Sequence, residues 1–256
     1  MFRTQTLFAL ATLAVCSVSA RANVPPVNDE CDGKAAAEVF DIDTLDQCPP
    51  QFTTAVFDTS DATDSNAPAH GACADSAGEG HVYNDIWLSF TANFTGVLTV
   101  DLTGSSFDTK VAIYGPPSGN CPGNLDDLEP FLVACNDNCG GPQSKVSFQT
   151  EQFTNYIFRV GGASASAKGG VTVTITRPGD TLQCLKDQVA ALGGLTSGEV
   201  NSLTKKLDLA AAQLQIGKTT PAANRLNAFV NEVISLLGQS SPLVTTANDI
   251  IAAIGC

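Results

Sequence analysis

The apolar spacing of the chain changes once, at Arg177-Pro178-Gly179-Asp180, and nothing else restricts the fold as strongly. Before that point, apolar and polar residues alternate: Ile86, Leu88 and Phe90, then Val97 and Thr99, then Val111 and Ile113. A period of two is the mark of half-buried antiparallel strands. After it, Leu182, Leu185, Val189 and Leu192 recur every three or four residues, the spacing of a helix with one buried face. A single chain therefore has to accommodate two kinds of secondary structure in sequence.

The stretch Asn84 to Gly115 carries the strand pattern most clearly. It predicts one strand ending near Phe90, one over Val97 to Leu102 and one over Lys110 to Tyr114. Trp87, the only tryptophan of the 256 residues, lies in the first of these and is expected to anchor the core between the sheets. Further strands are expected around Val39 to Ile42, Phe52 to Phe57, Phe131 to Ala134, Lys145 to Gln149, Tyr156 to Val160 and Val171 to Thr176. Turn residues separate them, and residues 58–82 and 115–130 form the two long loops. The fold expected for residues 23–177 is an all-β antiparallel sandwich of jelly-roll type.

Residues 178–181 read as a linker, and residues 182–256 as a small all-α four-helix bundle. Gly193-Gly194 ends the first helix, and Thr196-Ser197-Gly198-Glu199 fits a capping box for the second. Thr220-Pro221 and Ser241-Pro242 read as cap-and-proline starts for the third and fourth. At the other end, Arg3, the apolar run Leu7 to Val18 and Ala20-Arg21-Ala22 read as a signal peptide over residues 1–22. Leu13-Ala14-Val15-Cys16 has the outline of a lipobox, from which Val15 departs. No other apolar run approaches the ~20 residues a membrane span needs.

Of nine cysteines, Cys16 falls in that leader, which leaves eight in an exported chain and argues for disulfides. Cys184 and Cys256 bracket the helical segment and are expected to pair. Zinc is disfavoured, because no CxxC pair accompanies Cys121, Cys135 and Cys139. Residues 23–179 hold 20 acidic and 6 basic side chains, which excludes nucleic acid and anionic membrane surfaces as partners.

No nucleophile elbow, phosphate loop, dinucleotide fingerprint or HExxH helix occurs, and the expectation is a protein without catalytic activity. His81 near Asp85 is a conceivable histidine–aspartate couple without a marked nucleophile, and His70 reads as a surface or loop-packing residue. The candidate metal ligands are Asp108, just before a strand, and Asp137, just after another. Both could meet at one sheet edge and take calcium, or instead accept backbone N–H bonds that hold their turns.

Several motifs carry a likeness to known families. Pro26-Val27-Asn28-Asp29-Glu30-Cys31, Asn84-Asp85-Ile86-Trp87, Ser106 to Tyr114, Ala134-Cys135-Asn136-Asp137 and Phe158-Arg159-Val160-Gly161-Gly162 occur in that order. Over about residues 25–177 the chain resembles the pre-peptidase C-terminal β-sandwich modules of exported bacterial proteins, in the cysteine-rich form familiar from planctomycetes. The resemblance implies a non-catalytic accessory module, associated in relatives with secreted hydrolases, surface attachment and, in some, calcium. Asp137-Asn138 stands where those relatives often carry two aspartates. Leu203 to Leu207, Ala223 to Val230 and Ala247 to Ile251 resemble the FIMAH-type helical domain, which implies an accessory or interaction role.

The function expected is thus that of a secreted binding protein for extracellular polysaccharide or envelope protein, working through residues 58–82 and 115–130. The alternatives are a structural surface component assembling through its helical tail and a small hydrolase with an unrecognised site. Only 17 aromatic residues are present, most at inward strand positions, which counts against a broad aromatic sugar platform.

Overall fold

The structure is a computed structural model that describes residues 24–33, 53–65, 67–74, 78, 80–116, 121–122 and 124–255. The leader at 1–22, the strand expected around Val39 to Ile42, and Cys48 and Cys256 lie outside them. Eight strands are described: β1 (Thr53–Asp58), β2 (Tyr83–Thr91), β3 (Gly96–Asp101), β4 (Thr109–Tyr114), β5 (Leu132–Asn136), β6 (Lys145–Thr150), β7 (Asn155–Gly162) and β8 (Gly170–Thr176). They form two four-stranded sheets, β1-β8-β3-β6 and β2-β7-β4-β5, in which every pairing is antiparallel. Four helices follow: α1 (Pro178–Ala191), α2 (Ser197–Leu214), α3 (Thr219–Leu237) and α4 (Pro242–Ile254).

The alternation seen in sequence is realised residue by residue. Ile86, Leu88, Phe90, Leu98, Val100, Val111, Ile113, Phe158 and Val173 all point between the sheets and form one core. Trp87 does not. Because neighbouring strand residues face opposite ways, its indole lies on the outer face of β2, stacked on Tyr114 with ring centroids 6.0 Å apart. A second, smaller cluster of Trp87, Tyr114, Ile157, Ala67, Leu128, Cys31 and Cys73 seals that outer face beneath the loops.

The expectation of an all-β sandwich followed by a separate all-α bundle is overturned: two antiparallel sheets and four helices make one mixed α/β architecture. The reason lies on the outer face of β3 and β6. Val97, a strand residue, is buried in the core formed by α1 to α4 rather than in that of the sheets. Helices α1 and α4 lie against β3, and α4 also against β6. Thr99 Oγ1 and Ser147 Oγ donate to the carbonyl of Ala253 near the end of α4, at 3.4 and 3.3 Å. Four short helices around a core of aliphatic residues leave an apolar flank, and this sheet face covers it.

One helix start is fully capped, whereas Arg177, Lys218 and Ser241 stand at the starts of α1, α3 and α4 without a side-chain cap bond. Thr196 and Glu199 make the full capping box. Helix α3 begins at Thr219 with Lys218 at the cap, so Thr220 and Pro221 sit inside its first turn and Thr220 is not the cap. Among the described cysteines, Cys31 pairs with Cys121 and Cys73 with Cys135, at Cα–Cα distances of 5.7 and 5.2 Å. Cys139 and Cys184 are also disulfide-bonded. No described helix is long and apolar enough to cross a membrane.

Candidate functional site

The sequence motifs converge beneath the cover over the outer face of β2, β7 and β4. Asn84 adopts φ +48° at a register break between Tyr83 and Ile86, a bulge that aims Asp85 into this layer. Gly161, on the strand opposite, leaves room for it, and Gly162 leaves room for the turn at Ala167. A Cβ on Gly161 would come within 2.4 Å of the Tyr83 carbonyl oxygen, and one on Gly162 within 2.0 Å of that of Ala167. Glycine there is a matter of close approach.

Asp85 and Arg159 are both fully buried. Arg159 Nε donates to Asp85 Oδ2 at 2.7 Å, while Ser65 donates its N–H to Oδ1 at 3.0 Å and its hydroxyl to Oδ2 at 2.5 Å. The remaining guanidinium nitrogens donate to the carbonyls of Ala67, Pro68 and Val82 at 3.3, 3.0 and 2.9 Å. Its Cζ stands 5.6 Å from the Trp87 ring centroid. This one cation therefore fastens the 58–82 loop to the sheet, the use for which a planar fork of donors is suited. Asp29 does a similar job nearby, taking the N–H and hydroxyl of Thr63 at 2.6 and 2.7 Å.

His70 extends the cluster. It is buried between Tyr114, whose hydroxyl is 2.7 Å from Nε2, and Glu129, which pairs with Nδ1. Burial pulls the imidazole pKa below its ordinary value, helped by the nearby Arg159 charge and opposed by Glu129. Burial also pushes the Tyr114 phenol up to about 12, with the Arg159 guanidinium acting against it. His70 is thus an interior residue that packs its loop against the sheet, one of the two roles expected of it, and not a surface residue. His81 pairs with Asp64 at 2.9 Å rather than with Asp85, so the histidine–aspartate couple considered from sequence does not form.

Asp108 and Asp137 do come to one end of a sheet. Val111 pairs with Asn136, which sets Lys110 opposite Asp137 and Asp108 two residues further along. What faces Asp137 is the ammonium of the fully buried Lys110, 4.0 Å from Oδ1, and Asn138 donates to Oδ2 at 2.6 Å. Ser144 Oγ donates to the Asp137 carbonyl at 2.8 Å, and Ala163 N–H to that of Asp108 at 3.0 Å. Among the described residues no group of three or more His, Cys, Asp or Glu side chains is arranged to hold a metal. Calcium wants six to eight oxygens, and a buried ammonium beside the one buried carboxylate does not fit it.

An open concavity lies elsewhere, where the sheets meet the helices. A groove of about 280 Å³ is bounded by the β2–β3 turn, the entry to α1 and the end of α2, with Phe94, Arg177, Asp180, Gln183, Leu214 and Gln215 in its wall. Arg177 stacks on Phe94, its Cζ 4.0 Å from the ring centroid, and Nε pairs with Asp180 at 2.9 Å. Of the two long loops named from sequence, Ser65 and His70 of the first and Leu128 of the second point inward. Sequence reading took residues 178–181 as a linker and so missed the groove. The arginine next to a Pro-Gly pair was the available signal. For the sealed cluster the signal was a charged residue, Arg159, flanked by apolar residues in a strand, since a buried charge needs a partner.

Fold and site together define a mixed α/β protein with a sealed polar cluster and an open groove at the sheet–helix junction. No family model matches the chain, and no curated protein matches it either.

Proposed function

We propose that this is an exported, non-catalytic binding protein that takes neutral polysaccharide in the groove between the β2–β3 turn and helices α1 and α2. The observation that carries the reading is the composition of that groove: an aromatic ring, a neutralised arginine–aspartate pair and amide side chains around about 280 Å³. The exposed lining is more polar than apolar, which suits a hydroxyl-rich neutral ligand. A net charge of −13 works against anionic ligands. Two described disulfides suit an oxidising compartment. The motif likeness to exported accessory modules points the same way. Affinity electrophoresis through gels containing single neutral polysaccharides tests it. Retardation in at least one gel, weakened several-fold by Gln183→Ala with the melting temperature unchanged, is expected. Equal mobility in all gels would refute the reading.

A further inference from the structure

Phe153 combines two local disadvantages. It is 82% exposed, the second most exposed large apolar side chain described. It also has φ +63°, a left-handed conformation that bulky residues seldom adopt. The residue is third in the turn Glu151-Gln152-Phe153-Thr154, closed by Thr154 N–H to the Glu151 carbonyl at 3.2 Å, and that position of a type II turn is the one glycine or asparagine ordinarily fills.

The strain is held by surrounding bonds. Phe153 N–H donates to the Ala92 carbonyl at 2.7 Å, Gln152 N–H to Thr95 Oγ1 at 3.1 Å, and Gln152 Nε2 to the Asn93 carbonyl at 2.8 Å. Glu151 N–H donates to the Tyr156 hydroxyl at 2.9 Å. The bonds to Ala92, Asn93 and Thr95 tie the turn to the same β2–β3 segment whose Phe94 to Val97 line the groove. A phenyl ring is thereby presented to solvent on a turn bonded to the segment that lines the groove. Backbone strain that the surroundings over-determine is a pointer to function.

We propose that Phe153 is a ligand-contacting residue, a stacking platform for the apolar face of a pyranose ring in the neutral polysaccharide whose neighbouring unit enters the groove. This rests on the function proposed above. An aromatic ring offers large contact area at low entropic cost, and a neutral sugar meets neither the chain's negative charge nor the paired Arg177 with penalty.

The test compares wild type, Phe153→Gly and Phe153→Trp by affinity electrophoresis in a neutral β-glucan, mannan, xylan and α-glucan, with anionic alginate as control, alongside thermal melting. Expected are retardation of wild type in at least one neutral gel, roughly tenfold or greater loss in Phe153→Gly, and retention in Phe153→Trp. Phe153→Gly should melt at the same temperature as wild type or higher, because glycine relieves the turn. Undiminished binding by Phe153→Gly, loss in Phe153→Trp, or a lowered melting temperature in the glycine variant overturns the role of Phe153 and leaves the groove standing. No retardation of wild type in any neutral gel overturns both.

Discussion

Replacing Arg159 by methionine is the sharpest perturbation of this fold. The side chain is fully buried, bonds Asp85 at 2.7 Å and supplies donors to three loop carbonyls. Methionine keeps the aliphatic bulk and removes the charge, which leaves the Asp85 carboxylate buried with only the Ser65 donors. Breaking a buried ion pair from one side costs about 3–5 kcal/mol, and the orphaned carbonyls add to it unless water reaches them. Against a total stability of about 5–15 kcal/mol, this is about a fifth of the fold or more. The melting temperature should fall by roughly 6–20 °C at about 2–4 °C per kcal/mol for a chain of this size. Urea unfolding under oxidising conditions measures it, with Trp87 as a built-in reporter, since the one indole of the chain lies over this guanidinium. Adding Asp85→Leu should recover part of the loss, with a coupling of roughly 2–3 kcal/mol in a double-mutant cycle. A single-variant cost under about 1 kcal/mol, or simple additivity in the cycle, would refute the claim that this pair fastens the cover.

Three further outcomes are expected. The His70 pKa is lowered by burial, so the unfolded chain binds a proton that the folded chain resists. Stability is then fully present above the unfolded value of about 6.5 and falls as pH drops from there toward the folded value. Urea midpoints between pH 7.5 and 5 should show this slope, and His70→Gln should flatten it; equal slopes in both proteins would count against the assignment. Because Lys110 already faces Asp137, a calcium chelator should leave the melting temperature unchanged, and a chelator-induced fall would reinstate a metal there. Finally, Val97 joins the sheet to the helical core, so Trp87 fluorescence and the helical circular dichroism signal should report one coincident transition. Val97→Asp, which places a charge in that core, should separate or lower them, and two transitions already present in wild type would contradict a shared fold.

The strands and helices were legible in the sequence because their signals are local. Alternation from Ile86 to Phe90, the turn residues, and the Thr196–Glu199 cap each act within a few residues, and β2 and α2 form where those signals stand. Local pattern also placed Asp108 and Asp137 at one sheet end, through the pairing of neighbouring strands β4 and β5. The side on which Trp87 packs was implicit in the same alternation, yet what covers that side was not.

Tertiary structure alone decided the rest. Asp85 and Arg159 are 74 residues apart, and Ser65 is 20 from Asp85; only the bulge at Asn84 and the pairing of β2 with β7 bring them together. The groove unites Phe94 with Arg177 and Gln215, from three separate elements. The mixed architecture turned on an apolar flank of the helices finding Val97 on the back of a sheet. Periodicity tells a residue which way to face, whereas the partner it meets depends on how distant segments share one interior, and that information is written in no single stretch of the chain.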